Sequence, residues 1–427
     1  MKWNTLSLAG HFLSLVLLAM LTAGTEAQTG FGESTTAQTA TSTSSTIARL
    51  TASDGLPGNA LGISVGISSN TIVVGEDCLR IGDNPDCDVN HQGVVYVYRR
   101  PQEGWVNATE TAKLTASDRH PGDEFGTSVA ISGDTIVVGS ENGKAYVFVK
   151  PKLGWKDMTE TAQLTNSTTA EHFGETVAIH KDTIVVGGRG AAFLFVKPET
   201  GWASTSDFTA QLFPSDGNPN NFGASLSVYG DTVVVGAPFH DVATISNGIA
   251  YVYTKPAAGW TSTSDAAQLR HRASGDPAHP DFFGIAVSVN QSTIAVGVTQ
   301  AIAANGSQGV VDIFVKPKSG WVNTTQRAEV SAPVAHQNFG FAIALRSASL
   351  VVSPSGLPNI VYEYNRPTSG WVSTSKPSDT FGKIEAAASA SSFGIAVAAN
   401  LHSTVVGAPY KSVAGHVKQG MIYVFTR

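Results

Sequence analysis

Charged residues are scarce in this sequence. Asp, Glu, Lys and Arg together make up 14% of its 427 residues, whereas an average globular chain has about 25%. The formal net charge is −6, and lysine and arginine are not gathered into a basic stripe. Since a nucleic-acid backbone is bound through such a stripe, we expect no nucleic-acid partner.

Long hydrophobic runs are absent after residue 27. Residues 1–27 combine Lys2, the apolar run LSLVLLAMLTAG and a small-residue site ending at Ala27, a combination typical of a secretory signal peptide. No later run approaches the length of a membrane-spanning helix, and no cysteine stands at the cleavage site to carry a lipid anchor. We therefore expect an exported protein without a membrane span, extracellular or, in a bacterium, periplasmic or at the cell surface.

Cysteine is nearly absent. Cys78 and Cys87 are the only two, and both lie in one predicted loop. In an exported protein a disulfide is favoured over free thiols or metal ligands. We predict a Cys78–Cys87 disulfide, which would stabilise the fold by about 2 to 3 kcal/mol by closing a short loop.

What the chain has in abundance is a repeated β pattern. Phe125 to Val149 holds a short apolar run, the hairpin signal Gly133-Asp134, a β-branched strand and a strand of alternating aromatic and aliphatic residues. The segment before it, Ala112 to Ala116, alternates with a period of two and adds a fourth strand. Seven copies open with Phe-Gly, or Leu-Gly in the first, and their glycines are 48 to 64 residues apart, at Gly62, Gly126, Gly174, Gly223, Gly284, Gly340 and Gly394.

This repeat predicts an all-β fold, a seven-bladed β-propeller whose blades are four-stranded antiparallel sheets. Each unit reads D, A, B, C along the chain, where A is the innermost strand and D the outermost. The folded region begins with a D strand at Ala48 to Ala52 and ends with a C strand at Met421 to Phe425. Because neither has another partner, we predict that these two strands pair and close the ring.

The chain therefore divides into three parts. Residues 1–27 are the predicted signal peptide, residues 28–47 a Thr/Ser-rich linker and residues 48–427 the propeller. The linker shows no periodicity, and its composition predicts disorder.

The two faces of the predicted ring differ. The face that we call the lower face carries the A-to-B turns, which are tight, and the C-to-D loops, which repeat Lys/Arg-Pro followed by Gly-Trp. This uniformity indicates a structural role, with each tryptophan packed between blades. The tryptophans are Trp105, Trp155, Trp202, Trp260, Trp321 and Trp371.

The opposite face, here the upper face, carries the D-to-A and B-to-C loops, which vary in length and chemistry. Variable loops on a rigid scaffold are where binding residues concentrate. We predict a binding surface formed by three of these loops in blades one, four and seven. Its residues are Asp88, His91, Phe239, His240, Tyr410 and Lys411.

The repeat resembles the FG-GAP family. The resemblance lies in the Phe-Gly opening, the β-branched strand ending in glycine, and the triplet Gly-Ala-Pro, complete at Gly236-Ala237-Pro238 and Gly407-Ala408-Pro409. FG-GAP repeats form the blades of integrin alpha chains and of many exported bacterial proteins, so the resemblance implies a propeller used in adhesion or as a scaffold. Integrin-type blades often hold calcium in an acidic A-to-B hairpin. Here these turns have at most one acid each, too few for the roughly six to eight oxygens of calcium, so metal binding is not carried over.

Catalytic and cofactor-binding sets are not evident. The A strands, which line the central channel, are small and apolar with Glu175 as their only acid, so we predict that the protein is not an enzyme. Asp83, Asp86 and Asp88 leave calcium open, but no bidentate glutamate follows them. We predict no cofactor. The upper-face histidines lack ligand spacing and favour exposed loop positions over a zinc or copper site; they are His91, His120, His172, His240, His279, His336 and His416.

Five Asn-x-Ser/Thr sequons occur in the chain. In a sequence so rich in threonine and serine, most arise from composition alone, and they matter only where the host glycosylates secreted proteins. The candidate N-glycosylation sites are Asn107, Asn166, Asn290, Asn305 and Asn323.

Taken together, these features predict a secreted, monomeric, non-catalytic scaffold or adhesion-type protein whose upper face binds an extracellular protein or glycan. Two alternatives stay open, a carbohydrate-binding lectin with one sugar pocket per blade and a structural envelope or cell-surface protein without a discrete ligand. A lectin of that kind would repeat one aromatic and polar pair in every upper loop, and these loops repeat none.

Overall fold

The computed structural model describes ten ranges of the chain, residues 46–76, 92–168, 172–188, 190–240, 247–272, 280–303, 308–334, 338–354, 359–382 and 392–427. Its regular structure in these ranges is entirely β, and no helix there is long and apolar enough to cross a membrane. The signal peptide, nearly all of the linker and both cysteines fall outside these ranges, so the predictions made for them stay predictions.

The strands follow the predicted D, A, B, C order. The chain enters with β1 (Thr46–Leu50). Blade one contains β2 (Ser64–Ser68), β3 (Thr71–Glu76), β4 (Val94–Arg99) and β5 (Ala112–Thr115). Blade two contributes β6 (Val129–Ser132), β7 (Thr135–Ser140), β8 (Lys144–Val149), β9 (Met158–Thr159) and β10 (Ala162–Leu164). Blade three contains β11 (Thr176–His180), β12 (Thr183–Gly188), β13 (Ala191–Val196) and β14 (Ala210–Phe213).

The second half of the ring repeats this order. Blade four contributes β15 (Ser225–Tyr229), β16 (Thr232–Ala237), β17 (Ile249–Thr254), β18 (Thr263–Ser264) and β19 (Ala267–Arg270). Blade five contributes β20 (Phe283–Val289), β21 (Thr293–Ile302), β22 (Gln308–Val315), β23 (Thr324–Thr325) and β24 (Ala328–Ser331). Blade six contains β25 (Phe339–Leu345), β26 (Ser349–Pro354), β27 (Val361–Asn365) and β28 (Asp379–Phe381). Blade seven contains β29 (Val397–Ala399), β30 (Ser403–Ala408) and β31 (Met421–Thr426).

These strands form seven sheets, and the predicted seven-bladed propeller is confirmed. In blade two the order from the centre outward is β6, β7, β8 and β10, all paired antiparallel. The second strand, β7, is buried along its whole length because neighbouring blades cover both of its faces, which is why it is a continuous β-branched run. The inner strand β6 is mostly half-buried.

The ring closes as predicted. β1 pairs antiparallel with β31, from Thr46–Thr426 to Leu50–Ile422, and so supplies the outer strand that blade seven lacks. β1 starts at Thr46, two residues before the predicted strand and inside the segment predicted to be linker. The inner strands β29 and β2 also contact each other, so blades seven and one are neighbours like any other pair.

Three blades have a fifth, parallel strand beside the four antiparallel strands that were predicted. β9, β18 and β23 each follow a Gly-Trp pair and join the outer strand of the preceding blade, namely β5, β14 and β19. The physical reason is that an outer strand leaves one edge unpaired, and the next blade's loop covers it. Single parallel bridges do the same elsewhere, at Leu50–Ala108, Leu164–Thr205 and Val330–Thr374.

In six C-to-D loops a polar side chain accepts a hydrogen bond from the outer strand of the preceding blade. We call the row of these contacts around the propeller the rim. In blade one, the backbone N–H of Arg49 donates to Oδ1 of Asn107, two residues after Trp105, at 2.8 Å. The same position accepts a backbone N–H from the preceding outer strand in the other loops, where it is Asp157, Ser204, Ser262, Asn323 or Ser373. Only a side-chain oxygen within reach is needed, so the residue type varies while its polarity does not.

The hydrophobic clusters lie between blades. One of them joins Val73 and Val97 of blade one to Ile136 and Tyr146 of blade two, with Trp155 at its lower end. All six tryptophans of the repeat are 5 to 8% exposed and belong to such clusters. The predicted packing of tryptophan between blades is therefore confirmed.

The repeated glycines mark close contacts between neighbouring blades. A Cβ on Gly407, near the end of a B strand, would lie 2.1 Å from the carbonyl oxygen of Gly62 in the opening of blade one. A Cβ on Gly75 would lie 1.9 Å from the same atom of Gly126. The opening glycine and the B-strand glycine recur together because a side chain would push adjacent blades apart.

Candidate binding face

Main-chain hydrogen bonds connect the loops of the lower face to one another. The residue before each proline donates its backbone N–H to the turn between strands A and B, as Lys150 does to the Asp134 carbonyl at 2.8 Å. The glycine of Gly-Trp then donates to the proline carbonyl, as Gly154 does to Pro151 at 2.9 Å, in six loops. These bonds repeat around the face, and a cavity of about 460 Å³ opens on it at blade three, beside Trp202 and Phe208.

The D-to-A and B-to-C loops meet on the upper face. At the junction of blades seven and one, residues 55–61 run beside residues 416–420, and the backbone N–H of Gly58 donates to the Val417 carbonyl at 2.9 Å. Nδ1 of His416 lies 2.9 Å from the Gly55 carbonyl oxygen. These contacts fasten the ring a second time, on the side opposite the tryptophans.

Acids of the upper face are held by tyrosines of the C strands. Tyr146 donates its hydroxyl to Asp118 at 3.0 Å, and Lys144 forms an ion pair with the same carboxylate. Each such acid follows the outer strand of one blade while its tyrosine belongs to the next, so the bond links neighbours. The same bond joins Asp54 to Tyr96 at 3.1 Å and Asp216 to Tyr251 at 2.9 Å.

The protonation states of these pairs follow from their surroundings. Burial alone would raise the pKa of Asp54, but hydrogen bonds from Lys113 and Tyr96 hold that pKa below its usual 3.8. Burial, together with the charges of Glu76 and Asp54, raises the pKa of Tyr96. At neutral pH the carboxylate is therefore ionised and the tyrosine is a protonated donor.

A cavity of about 560 Å³ opens on the upper face at blade one, between the connection that enters this blade from β1 and Arg119 of the connection toward blade two. Such a volume is within the range of about 300 to 1,000 Å³ that ligand clefts have. Leu56, 61% exposed, gives it an apolar surface, and the exposed Arg119 gives it a positive one. The rest of its wall is Asp54, Pro57, Asn59, Glu76, Gln92, Gly93, Val94 and Tyr96, so that both described ends of blade one's long upper loop are included.

Tyr410 and Lys411, predicted binding residues of blade seven, are half-buried at the start of the B-to-C loop. The Lys418 ammonium lies 5.8 Å from the centre of the Tyr410 ring, a cation–π contact. The backbone of Lys411 donates to Ala408 at 3.1 Å and accepts from Gly420 at 2.9 Å. Residues 416–420 of the same loop contact residues 55–61, and this second segment includes Leu56 of the cavity.

Phe239 and His240, predicted for blade four, differ in exposure. The half-buried ring of Phe239 packs on Phe282 of the neighbouring connection, with 5.0 Å between ring centres. His240 is 5% exposed, and its Nε2 lies 3.1 Å from Oδ2 of Asp216, an ion-pair distance without hydrogen-bond alignment. His240 therefore supports its loop from inside, and blade four lies apart from the cavity at blades one and two.

Other predicted residues fall outside the described ranges. They include Asp88, His91, Asn305 and the Cys78–Cys87 pair, together with the Asp83 to Asp88 segment considered for calcium. Glu175, predicted to line the channel, lies just before β11, and its Oε1 is 2.5 Å from Nδ1 of His172.

The described sequons differ in whether the asparagine Nδ2, the atom that carries a glycan, is engaged. Nδ2 of Asn290 donates to the Arg346 carbonyl at 2.7 Å. Asn107 and Asn323 are exposed and use Oδ1 for the rim hydrogen bond. Asn166 is half-buried and accepts from Thr168 through Oδ1. A glycan on Asn290 would break an inter-blade bond, whereas one on Asn107 or Asn323 would keep the rim bond.

The cavity residues Asp54, Leu56, Glu76 and Arg119 were absent from the predicted binding set. One signal could have found the acid, because Ser-Asp recurs after the outer strands at Asp54, Asp118 and Asp216. Leu56 and Arg119 carry no such signal, since they stand in connections of unequal length.

Three segments of the chain match the FG-GAP repeat, at residues 45–98, 108–148 and 207–253. Each segment covers one D, A, B, C unit, namely β1 to β4, β5 to β8 and β14 to β17. No protein of curated function matches this chain in sequence.

Solved structures resemble this chain at low sequence identity. The WD40 domain of coronin from Toxoplasma gondii has a TM-score of 0.52 and 10% identity, over 89% of this chain and 86% of that one. The WD40 β-propeller domain of Doa1 has a TM-score of 0.49 and 9% identity, over 88% of this chain and 96% of its own. The computationally designed Ika8 protein has a TM-score of 0.47 and 14% identity, over 88% and 99%. The coronin likeness shows the propeller fold alone.

Proposed function

We propose that this chain, a seven-bladed propeller built from FG-GAP repeats, is an exported, non-catalytic scaffold that binds an extracellular protein or glycan on its upper face. The observation that carries the proposal is the 560 Å³ cavity among the variable loops of blades one and two. The lower face has a smaller cavity, of about 460 Å³ at blade three, but its loops repeat around the ring and their backbone groups are already paired.

The chemistry of the cavity suits recognition of a mixed polar and apolar surface. Leu56 and Pro57 offer apolar contact, while Arg119 offers a planar cation of the kind enriched at binding hot spots. The carboxylate of Asp54 is already engaged by Tyr96 and Lys113, at 3.1 and 2.7 Å. An acid so engaged favours binding over proton transfer, which supports a non-catalytic role.

Rigidity of the surrounding loops also favours binding. Backbone bonds between residues 55–61 and 416–420 fix the blade-seven side of the cavity, and the predicted disulfide would restrain the long loop of blade one. Loops ordered before binding lose less conformational entropy when a partner docks. Tyr410, half-buried beside Lys418, is then a rigid aromatic anchor at the edge of this surface.

A screen of the purified propeller on glycan and cell-surface protein arrays tests the proposal. For a partner found there, we expect Leu56→Ala, Arg119→Ala and Tyr410→Ala each to raise Kd at least tenfold, since central anchors dominate binding energy. Leu153→Ala is the matched control, because Leu153 is fully exposed, at 101%, in a lower-face loop. Both leucine variants should unfold at the parental temperature.

The outcome for the matched leucines decides between the faces. If Leu153→Ala weakens binding while Leu56→Ala does not, the partner docks on the lower face and the proposal is wrong. A glycan that binds several blades equally would instead support the lectin alternative, because its stoichiometry would exceed one.

A further inference from the structure

Blade five departs from the repeat where the other blades agree. Asp312 in β22 stands opposite Glu329 in β24, so two acids face each other across the strands. His271, directly after β19, stands where the outer strands of three other blades are followed by Ala52, Ala116 and Ala332, and those of two more by Asn166 and Pro214. The corresponding pairs in the other blades join an aromatic residue to a basic or uncharged one, and they are Tyr96–Lys113, Tyr146–Gln163, Phe193–Gln211, Tyr251–Gln268, Tyr362–Thr380 and Tyr423–Arg49.

These three unusual residues meet between blades four and five. Asp312 is completely buried, and its Oδ2 lies 2.7 Å from Nδ1 of His271. One ligand atom from each of His271, Asp312 and Glu329 lies within 4.8 Å of the other two. Within the described part of the chain, Oδ1 of Asp312 has no hydrogen-bond partner. A fully buried carboxylate oxygen is thus left without a donor, which is costly unless something else coordinates it.

The cluster also carries more negative than positive charge. Burial raises the pKa of Asp312 to about 6 despite its bond to His271, and the charges of Glu329 and Asp281 add to the rise. Burial alone would lower the pKa of His271, but Asp312, Asp281 and Glu329 raise it. Several acids thus share one imidazole in an interior that is almost closed to water.

We propose that His271, Asp312 and Glu329 bind one divalent transition-metal ion, with zinc as the representative, and that this ion joins blade four to blade five. One imidazole nitrogen and two carboxylate oxygens form a ligand set that zinc accepts. Calcium, by contrast, takes about six to eight oxygens. Bound through both carboxylate oxygens of Asp312, the ion would give Oδ1 the partner that it lacks and offset the excess negative charge.

The three side chains must move to hold an ion, by up to about 1.5 Å where two of their ligand atoms are as far apart as 4.8 Å. With metal–ligand distances of about 2.0 to 2.2 Å, two ligands of a tetrahedral ion lie about 3.3 Å apart. Nδ1 of His271 and Oδ2 of Asp312, now 2.7 Å apart, would separate by about 0.6 Å as the ion displaces their shared proton. Glu329 is half-buried and gives the ion a route from solvent.

Zinc titration of the purified, chelator-stripped chain tests this site. We expect one zinc per chain by calorimetry, and a rise in Tm of about 3 °C at a zinc concentration a hundredfold above Kd. Calcium at the same concentration should leave Tm unchanged.

The variants restore the repeat's own residues, so they are expected to fold. His271→Ala and Glu329→Gln introduce the alanine and glutamine found at these places in other blades, and each should weaken zinc binding at least tenfold. Gln211→Glu is the matched control, because it places an acid opposite Phe193 in blade three, whose ring packs on Phe173 and Phe208. It should not change zinc binding.

Two results would overturn the site. If the stripped chain binds no zinc at micromolar concentration, the cluster is a proton-sharing group alone. If His271→Ala and Glu329→Gln bind zinc as tightly as the parent, the ion lies elsewhere, among the other histidines.

Discussion

Asp118 illustrates how a single acid links two blades. It follows the outer strand of blade one and accepts hydrogen bonds from Tyr146 and Lys144 of blade two. Burial alone would raise the pKa of Asp118, but these hydrogen bonds and the charge of Lys144 lower it below the usual 3.8. A depressed pKa means that the folded state favours the ionised acid, so its stabilisation is present above pH 3.8 and is lost as pH falls through the folded-state pKa.

Asp118→Asn is therefore expected to lower the free energy of unfolding by about 1 to 2 kcal/mol at pH 7, since hydrogen bonds to a charged group are lost. The difference from the parent should narrow as the pH falls below 3.8, because the unfolded parent then takes up a proton at Asp118 before the folded parent does. Urea unfolding at pH 7, 5 and 3 measures it, with Asp207→Asn on the exposed surface as control. An Asp118→Asn deficit of constant size across this range would contradict the assignment.

Glu363 is another residue that departs from the repeat. It is completely buried in β27, where the other C strands have Val97, Val147, Leu194, Val252, Ile313 and Val424. Nη1 of Arg346 lies 3.1 Å from its Oε1, and Arg427 pairs with its other oxygen. Arg346 also donates to the Ser403 carbonyl of blade seven at 3.0 Å. The acid and the two arginines thus fasten blade six to blade seven.

Glu363→Gln is expected to lower the free energy of unfolding by about 3 to 5 kcal/mol, because Arg346 would be left buried with an uncompensated charge. The double variant Glu363→Val with Arg346→Met should be much closer to the parent, since a buried ion pair replaced by apolar residues is often neutral. Chemical denaturation of the single and double variants gives both values. A double variant as unstable as Glu363→Gln would show that the charge is not the cause.

Among the elements, β1 and the short parallel strands perform the same task at different places. β1 covers the outer edge of β31, and β9 covers the outer edge of β5. Unpaired strand edges favour association between chains, so the rim keeps each blade from offering such an edge. The ring is therefore protected both at its closure and at its circumference.

Deleting β1 tests this protection. Removal of residues 1–45 should leave the propeller monomeric, whereas removal of residues 1–50 exposes β31 and the core positions that Ala48 and Leu50 cover. We expect the shorter product to aggregate, as measured by light scattering and size-exclusion chromatography. A soluble monomer with parental Tm after the longer deletion would mean that β1 is dispensable for closure.

The elements were predictable where the repeat forces them. Glycines equivalent to Gly62 and Gly407 recur in the repeat because neighbouring blades touch at these positions. The number of opening glycines therefore predicts the number of blades. The parallel strands were not predictable, since β9 is only Met158–Thr159 and has no alternation to read. β1 was placed two residues late because Thr46 continues the Thr/Ser-rich composition of the linker.

The candidate sites, unlike the ring, depend on contacts between blades that are distant in sequence. His271 and Asp312 are 41 residues apart, so no short ligand spacing marks them in the sequence. When the seven units are aligned, Asp312 stands at a position that is tyrosine or phenylalanine in every other blade. Leu56 of the cavity had no comparable signal, because its position depends on how two loops of unequal length fold together.

The pairing of β1 with β31 also determines when the ring can close during biosynthesis. Leu50 and Met421 are 371 residues apart, so a ribosome adding about 5 to 20 residues per second delivers the second strand about 20 to 75 s after the first. Blades one to six can assemble during that interval, while Ala48 and Leu50 remain without their partner strand. The nascent chain thus has a long interval in which a chaperone can bind β1, and closure follows only after β31 has been synthesised.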